Sequence, residues 1–475
     1  MSERRNPPAE ELYARKWRIW AVAMVGLFMA LIDITIVNIT IPTLEDELDA
    51  GVDTVSWVLN AYNIVFAVVL VSMGRLADQF GRKRFFLAGL AVFTIGSLMC
   101  GLAGSIDQLI AFRVVQGLGA GILAPLALAL TALIFPPQQR GLGLALLAVV
   151  ANAAAAIGPP LGGVLLEVAS WHWIFLVNVP IGIGGIVMAA RVMPETYDLA
   201  AGRRVDVIGM TLLAGAVLAL TYGLVEANDA GWGSAEIVGL FGAAVVLTAA
   251  FAASQRFGRY PMLTAALARN RQFMGACTAF VLFGIGVMAQ LFLMVLLLIQ
   301  LWGYSQLEAA FAITPVALLG LVVAPLVGRR ADRVPPRVIG IPAIAAMAGG
   351  LLWLAAAPAD PHYLDVLPGL LVTGAAMGAA FPAINVGAMG SVAGQELGLG
   401  SGIVNMSRQL GFALGVAILV AVLEGHGTPT SPEDARDAFG QAFRVAALCV
   451  LLAVPFALSM RRRPADAHAA HASVG

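Results

Sequence analysis

The chain consists largely of long apolar segments separated by short polar ones, and this pattern limits its possible folds more than any other feature. A helix needs about 20 predominantly apolar residues to cross a bilayer, because each residue adds about 1.5 Å to its length. Apolar residues make up 60% of the chain and charged residues 12%, a composition outside the range of soluble domains. We predict fourteen spans, at residues 19–41, 54–74, 85–104, 108–132, 141–166, 172–192, 206–226, 235–255, 273–300, 306–328, 338–357, 364–389, 398–423 and 439–460. The predicted fold class is an all-α integral membrane protein.

The distribution of Lys and Arg predicts how these spans are oriented. Basic residues concentrate in alternate connections, at 1–18, 75–84, 140, 191–204, 256–271, 329–337 and 461–463, whereas the opposite connections are mainly acidic. Cytoplasmic loops of membrane proteins carry the excess of positive charge. We therefore expect a multi-pass protein of the plasma (inner) membrane with both termini in the cytoplasm. The connection at 391–396 has no Lys or Arg and does not support either orientation.

Several function classes are disfavoured by the sequence. The formal net charge is zero, which gives no reason to expect a nucleic-acid partner. No glycine-rich phosphate loop ending in Gly-Lys-Ser or Gly-Lys-Thr is present, which argues against ATP as an energy source. The five histidines lie in predicted outer loops or the C-terminal tail, without the spacing of a metal site. We expect no enzyme activity, no metal and no organic cofactor.

A charged segment between the second and third spans recurs, incompletely, in the second half of the chain. The segment at 74–84 reads GRLADQFGRKR, and the segment at 328–338 reads GRRADRVPPRV. Gly74 and Gly81 are expected to allow a turn, and Asp78 to accept hydrogen bonds from arginines or to lie at a helix N-terminus. The repeat predicts two related halves. Its charged and glycine positions are Gly74, Arg75, Asp78, Gly81, Arg82 and Arg84 in the first copy, and Arg329 and Asp332 in the second.

This duplicated hairpin resembles that of the major facilitator superfamily, in which it joins the second and third helices of each six-helix half. The resemblance implies two six-helix bundles, with the spans at 206–226 and 235–255 as an inserted pair. Six plus two plus six helices resemble the 14-spanning drug:proton antiporters of that superfamily. The expected organisation is an N-terminal tail (1–18), a first bundle (19–192), an inserted segment with linkers (193–271), a second bundle (272–460) and a C-terminal tail (461–475).

Two further motifs resemble signatures of the same antiporters and contain the two charges that we expect to meet inside the membrane. Asp33 opens an Asp-x-Thr-x-Val-Asn motif in the first span, and Arg113 opens Arg-x-x-Gln-Gly-x-Gly in the fourth. At about 1.5 Å per residue, Asp33 lies about 12 Å and Arg113 about 9 Å below the outer ends of their spans. Desolvation favours a neutral Asp33, whereas Arg113 favours the ionised form. A proton carrier needs this balance, although a permanently paired, purely structural Asp33 is the alternative.

The fifth span contains a Gly-Pro-x-x-Gly-Gly motif that resembles the antiporter signature of the superfamily. Prolines remove helix hydrogen bonds, and glycines permit close approach of a neighbouring helix. The resemblance implies a hinge or seal around which the halves rock, although glycine and proline are common in membrane helices. The residues concerned are Gly158, Pro159, Pro160, Gly162 and Gly163.

Polar or aromatic side chains within other spans are candidates for a substrate cavity between the halves. Each of them could instead bridge helices or, for the aromatic groups, face lipid. Arg408 is expected near mid-bilayer, where it must face protein or water. With one deep acid against two arginines, we expect neutral, amphipathic or weakly anionic substrates. The candidates are Asn38, Asn60, Asn63, Gln116, Asn152, Phe283, Gln290, Asn385, Asn405, Arg408 and Gln409.

Together these features predict a secondary transporter that exports amphipathic drugs, antibiotics or similar small molecules in exchange for protons by alternating access. Its partners are then the substrate, protons and the lipid bilayer, and we assume a monomer. Two other functions remain open. A proton-coupled importer of a small metabolite would share the fold, and a membrane receptor or scaffold that transports nothing would not need a titratable Asp33.

Overall fold

The computed structural model describes residues 6–136, 139–197, 206–258, 261, 263–331, 334–360, 362–392, 396–427 and 431–460. These ranges contain helices and no strand, and fourteen helices are long and apolar enough to cross a membrane. This confirms the predicted number of spans. The helices are α1 Lys16–Leu48, α2 Val52–Phe80, α3 Arg82–Cys100, α4 Ile106–Ile134, α5 Arg140–Val168, α6 His172–Val192, α7 Val207–Val225, α8 Ala235–Phe257, α9 Arg271–Leu301, α10 Gln306–Ala331, α11 Pro336–Leu354, α12 Tyr363–Met389, α13 Leu397–Glu424 and α14 Pro432–Ala457.

The fold is built from two six-helix bundles whose helices pack in the same pattern. In the first bundle α4 packs on α2 and α3, and α1 packs on α4, α5 and α6. In the second bundle α12 packs on α10 and α11, and α9 packs on α12, α13 and α14. Each helix of one bundle thus has the same neighbours as its counterpart eight helices later. The internal repeat seen in the charged hairpins therefore extends to the helix packing of the two bundles.

The first helix of each bundle departs from regular α geometry close to its functional candidates. Helix α1 passes through a 3₁₀ turn at Val37–Thr40, which contains Asn38 and precedes Pro42. Because Pro42 has no N–H to donate, the helix cannot continue its hydrogen-bond ladder unchanged at that point. Helix α9 contains two π-helical segments, Ala289–Leu293 and Leu297–Leu301, and Gln290 lies in the first. Irregular turns of this kind redirect side chains within an otherwise continuous helix.

The two bundles meet along two seams, which are α2 against α13 and α5 against α10. Near the outer ends, Gln300 Nε2 donates to Glu45 Oε2 at 2.7 Å, and Gln306 Nε2 donates to Thr43 Oγ1 at 3.3 Å. A methyl group added at Gly402 of α13 would lie 3.4 Å from the Val71 side chain of α2. The seams therefore combine close helix packing with a few polar contacts at the outer surface.

The inserted pair packs on one of these seams. Helix α7 contacts both α2 and α13, and α8 packs mainly on α7. Trp57 of α2 and Tyr222 of α7 place their ring centroids 5.9 Å apart, and Asn228 Nδ2 donates to the Ala421 carbonyl of α13 at 2.6 Å. Helix α7 thus touches both bundles, whereas α8 lies at the perimeter.

The charged hairpin at 74–84 is more helical than the sequence suggested. Helix α2 continues through Phe80 and α3 begins at Arg82, so Gly81 alone separates them. Gly81 has a φ of +119°, in the region that favours glycine, and its N–H donates to the Ala77 carbonyl at 3.0 Å. The expectation that Gly74 also permits a turn is wrong, because Gly74 lies inside α2 and packs against Pro125.

Candidate functional site

The centre of the first bundle contains an ion pair between Asp33 of α1 and Arg113 of α4. Arg113 Nη1 donates to Asp33 Oδ2, and both side chains have 0% exposure. It is the one ion pair within the described ranges whose two side chains are both fully buried. The two charges therefore meet as their predicted depths implied.

Gln116 completes the coordination of the carboxylate. Its Nε2 donates to Asp33 Oδ1 at 2.7 Å and to Ser97 Oγ at 3.1 Å, and its Oε1 accepts from Arg113 Nη1 at 2.7 Å. Because Arg113 and Gln116 are three residues apart, they lie on the same face of α4. The motif Arg-x-x-Gln thus supplies two ligands to one carboxylate, and both carboxylate oxygens are satisfied.

Helices α2, α3 and α6 enclose the pair. Arg113 Nε donates to the Val58 carbonyl at 2.8 Å, and the ring of Tyr62 lies 4.1 Å from the guanidinium carbon. Tyr62 in turn donates to the Ala30 carbonyl of α1 at 2.8 Å. Asn178 of α6 donates to Ser97 Oγ at 3.1 Å. Five helices, α1, α2, α3, α4 and α6, therefore hold or enclose the pair.

Arg113 nevertheless keeps one unused donor, because its buried Nη2 has no hydrogen-bond partner. Loss of the negative charge on Asp33 would remove the principal counter-charge of an arginine that water does not reach. A buried and uncompensated charge is strongly unfavourable. The arrangement can therefore convert protonation of one carboxyl group into a drive to change conformation.

The predicted cavity residues fall into several groups. Gln116 does not line a cavity; its 0% exposure and its bonds to Asp33 and Arg113 place it in the buried network. Phe283 is also fully buried, with its ring edge-on to Phe381 at 5.5 Å. Asn385 is exposed. The side chain of Asn152 lies outside the described part of the structure.

Most of the remaining amides are buried with at least one amide atom unpartnered, whereas Asn405 is half-buried. Asn38 Nδ2 donates to the Ile34 carbonyl at 2.6 Å while its Oδ1 has no partner, and Asn405 Nδ2 donates to the Ser401 carbonyl at 3.0 Å. Buried amides without protein partners are unusual, because a buried polar group normally forms hydrogen bonds. Those with both amide atoms unpartnered are Asn60, Gln290 and Gln409, and Asn63 has an unpartnered Oδ1.

Arg408 of α13 is the charged counterpart to these amides in the second bundle. Its side chain is half-buried, and its Nε is fully buried without a partner. Within the described residues no carboxylate lies within ion-pair distance of it and no acceptor receives a hydrogen bond from it. Neither pairing with Asp33 nor binding of backbone carbonyls, two roles open to a deep arginine, occurs in this conformation.

The charged hairpin is closed by a segment that sequence motifs did not indicate. Arg82 Nε donates to Asp78 Oδ1 at 2.8 Å within the hairpin, and Arg75 Nη1 donates to the Pro261 carbonyl at 3.3 Å. Glu195, beyond α6, accepts from the Lys83 N–H at 3.0 Å and lies 3.6 Å from Arg84 Nε. In the second copy of the hairpin, Asp332 and the Arg329 side chain lie outside the described residues.

The glycines at 158, 162 and 163 contact two different helices. A methyl group on Gly158 would lie 2.9 Å from Thr35 Cβ of α1, and one on Gly163 would lie 2.8 Å from Ala310 Cβ of α10. Gly162 similarly faces Ile36. Pro159 and Pro160 lie within the continuous helix α5. This motif thus seats α5 against both the helix of Asp33 and the opposite bundle.

Several residues of the buried network gave no signal in the sequence. Ser97, Tyr62 and Asn178 lie within or beside apolar runs, and no motif distinguishes them from other small, aromatic or polar residues there. Their polar groups alone could have indicated a buried network, since a polar side chain inside a membrane span needs a hydrogen-bond partner. Within the described ranges, no three His, Cys, Asp or Glu side chains are arranged to hold a metal ion.

Comparison with known proteins identifies the architecture. The sequence profile described as Major Facilitator Superfamily matches residues 23–416. The fold is also similar to the crystal structure of the human organic anion transporter MFSD10 (TETRAN), with a TM-score of 0.66 over 95% of this chain and 100% of that one. Sequence identity to MFSD10 is 16%, so this likeness concerns the fold alone.

Three curated relatives are similar over most of their length. The cephamycin export protein CmcT of Amycolatopsis lactamdurans is 34% identical over 89% of this chain and 88% of its own. The methylenomycin A resistance protein of Bacillus subtilis is 32% identical over 91% and 93%, respectively. The tetracenomycin C resistance and export protein of Streptomyces glaucescens is 29% identical over 91% and 80%.

The profile match covers most of the chain, and relatives above 30% identity extend along nearly all of it. The matched family consists of transport proteins, so this chain is a membrane transport protein for small molecules and not an enzyme. Its fourteen apolar helices make it a multi-pass membrane protein. The chain belongs to the Major Facilitator Superfamily.

Proposed function

We propose that this transporter is a proton-coupled exporter, an antiporter that moves amphipathic drugs, antibiotics or similar small molecules out of the cell by alternating access. The observation that carries the proposal is the fully buried pair of Asp33 and Arg113, enclosed by five helices. The names of the relatives, which refer to antibiotic export and resistance, support the direction of transport and the substrate class.

In the proposed cycle Asp33 is the proton carrier and Arg113 its internal competitor. A proton arriving from outside neutralises Asp33 and removes the acceptor of Arg113 Nη1. The guanidinium is then left buried without its counter-charge, which favours a conformation in which water or other groups reach it. Deprotonation towards the cytoplasm restores the pair. In this cycle, proton binding and release change the packing of α1 against α4, and this change couples the proton gradient to the conformation of the protein.

The charged hairpins and the glycine motif complete this proposal. Asp78 with its arginines acts as an inner latch that stabilises the outward-facing state, and Asp332 with Arg329 is a weaker counterpart. The motif at 158–163 acts as the hinge or seal between α5, α1 and α10. Asp78→Asn should abolish or greatly slow transport while leaving the fold intact, and normal export by a well-expressed variant would refute the latch. The hairpin residues proposed for the latch are Gly74, Arg75, Asp78, Gly81, Arg82, Arg84, Arg329 and Asp332.

The substrate is proposed to bind between the bundles, near the polar side chains that lack partners. We assign the protein to the plasma membrane with both termini in the cytoplasm, acting as a monomer. The proposed domains are the two bundles at 19–192 and 272–460, the inserted segment at 193–271 and the tails at 1–18 and 461–475. The proposed cavity residues are Asn38, Asn60, Asn63, Asn152, Gln290, Asn385, Asn405, Arg408 and Gln409, with Phe283 in their wall.

Transport into everted membrane vesicles tests the proposal, because their cytoplasmic face points outward and an exporter therefore moves substrate into the lumen. A fluorescent amphipathic compound is loaded under an imposed pH gradient, and the native chain is compared with Asp33→Asn. We expect gradient-driven transport by the native chain and its loss in the variant. Arg444→Gln is the control, because Arg444 is an exposed residue of α14 away from the pair.

Other outcomes distinguish the alternatives. Transport that persists in Asp33→Asn would move proton coupling elsewhere and leave Asp33 as a structural ion pair. Substrate movement in the direction of the proton gradient would favour the importer. Binding of the compound without any movement across the membrane would favour the receptor or scaffold.

A further inference from the structure

The position of Arg408 on α13 shows where its charge is directed. Gly411 and Gly415 of α13 pack on α9, with the Gly411 position close to Val281, and Gly402 packs on α2. Arg408, Asn405 and Phe412 are three, four or seven residues apart, so they share one face of α13. This face lies between the side that contacts α9 and the side that contacts α2. That face is turned towards the interior between the bundles. Arg408 itself borders the α9 contact, because a methyl group on Gly284 of α9 would lie 3.1 Å from the Arg408 carbonyl oxygen, and it does not lie on the lipid side of α13.

Unpartnered amides lie at the same depth. Helices α2 and α13 run in opposite directions through the membrane, and Gly402 lies beside Val71. Asn63 lies eight residues outward from Val71 on α2, and Gln409 lies seven residues outward from Gly402 on α13. At about 1.5 Å per residue these distances are about 12 and 10 Å, so Asn63 and Gln409 lie at similar depths in the membrane. Asn63 Oδ1 and both amide atoms of Gln409 are buried and have no partner. Arg408 therefore lies close in depth to one unused donor, Gln409 Nε2, and to unused amide oxygens of Gln409 and Asn63.

The chemistry of this cluster favours one kind of ligand. An unpaired cation repels metal ions and protonated amines, and a neutral ligand would leave its charge uncompensated. A carboxylate supplies both the counter-charge and the acceptors that a guanidinium binds best. Phe412, one helical turn from Arg408, is a buried apolar side chain on the same side of α13. The site therefore suits an amphipathic acid in which the carboxylate adjoins an apolar ring.

We propose that Arg408 binds the carboxylate of an anionic substrate, with Gln409 Nε2 as a second donor to that group. This inference rests on the proposed transport of small molecules between the bundles, and it narrows their class to amphipathic acids. Asp33 and Arg113 remain the proton-coupling pair and have no part in recognising the carboxylate. Recognition and energy coupling are thereby assigned to different bundles.

A matched pair of fluorescent probes tests the assignment. N-dansylphenylalanine carries a carboxylate, and its methyl ester has the same apolar body without the charge. Binding of both probes is measured by dansyl fluorescence on the purified full-length protein in lipid nanodiscs, for the native chain, Arg408→Gln, Arg408→Lys and the control Arg444→Gln. Proton-driven transport of the ester in vesicles is recorded in parallel, because it reports the exporter function independently of the carboxylate.

We expect the acid to bind the native chain more tightly than the ester. Arg408→Gln should weaken binding of the acid at least about tenfold and change binding of the ester less than about twofold, since a hydrogen bond to a charged group is lost only for the acid. Arg408→Lys should retain part of the preference, and Arg444→Gln all of it. Continued binding of the ester by Arg408→Gln shows that the variant is folded.

The inference is overturned if the native chain shows no preference for the acid, or if Arg408→Gln weakens both probes equally or neither. The exporter proposal fails separately, if proton-driven transport of the ester is absent from the native chain. A carboxylate preference that depends on Arg408, without proton-driven export, would retain the anion site and reject the antiporter. Proton-driven export of the ester without a carboxylate preference would retain the antiporter and reject the anion site.

Discussion

The two bundles contain one deeply placed arginine each, and the two arginines differ in how their charge is compensated. Arg113 in the first bundle has a carboxylate, a backbone carbonyl, an amide oxygen and an aromatic ring around it. Arg408 in the second bundle has none of the first three among the described residues. In this pseudo-symmetric fold the arginine charge of the first bundle is thus neutralised by protein groups, whereas the arginine charge of the second bundle is not. Two substitutions test this difference and a third tests the packing around Asp33, and they follow in order of decreasing effect on stability.

The largest effect is expected for Arg113→Leu. The change leaves the Asp33 carboxylate buried without its counter-charge, and breaking one partner of a buried pair costs about 3–5 kcal/mol. Thermal unfolding of the purified protein in detergent measures this loss. The double variant Asp33→Asn/Arg113→Leu should be more stable than the sum of the single changes implies, by about 0.5–3 kcal/mol. Strict additivity would show that the two side chains are not energetically coupled.

A smaller loss is expected for Gly158→Ala, which tests how firmly α5 holds the helix of Asp33. The added methyl would lie 2.9 Å from Thr35 Cβ and 3.2 Å from the Ile36 nitrogen, so α1 and α5 must separate slightly. Overpacking of this kind costs about 1–3 kcal/mol. Gly242→Ala is the control, because a methyl at Gly242 in α8 meets no atom within 4 Å. Equal unfolding temperatures for the two variants would contradict close packing at Gly158.

The smallest effect, of opposite sign, is expected for Arg408→Leu. Removing a charge that has no partner eliminates a desolvation penalty without breaking an ion pair. The variant should therefore unfold at the same temperature as the native protein or at a higher one, although it loses the proposed carboxylate preference. A loss of more than about 2 kcal/mol would mean that Arg408 has a stabilising partner, and the contrast between the bundles would disappear.

The sequence predicted the helices of this fold well because membrane spans can be identified from the length and composition of their apolar segments. The meeting of Asp33 and Arg113 also followed from their depths in two helices, since depth depends only on the rise per residue. The surrounding network did not follow, because Ser97 and Tyr62 become ligands through the way in which helices are rotated about their axes. Depth along one helix contains no information about that rotation.

The hairpin illustrates a second limit. Gly74 and Gly81 looked equivalent as turn residues, yet only Gly81 ends a helix. That choice depends on tertiary contacts from distant residues, including the Thr196 carbonyl, which accepts from the Arg82 N–H at 3.0 Å, and the Glu195 carboxylate. Neither residue is part of the repeated motif. The end of α2 is thus set by a segment more than a hundred residues later.

The position of α7 has a mechanical consequence. A transporter with two equivalent seams can open along either with similar resistance, but here one seam has a third helix attached to both of its sides. Ile64 and Val68 of α2, Ala413 of α13 and Val217 of α7 form one apolar cluster. When α2 and α13 separate, this cluster must shear or α7 must travel with one of them. In the proposed alternating-access cycle, the inserted pair therefore makes the two seams unequal in their resistance to opening.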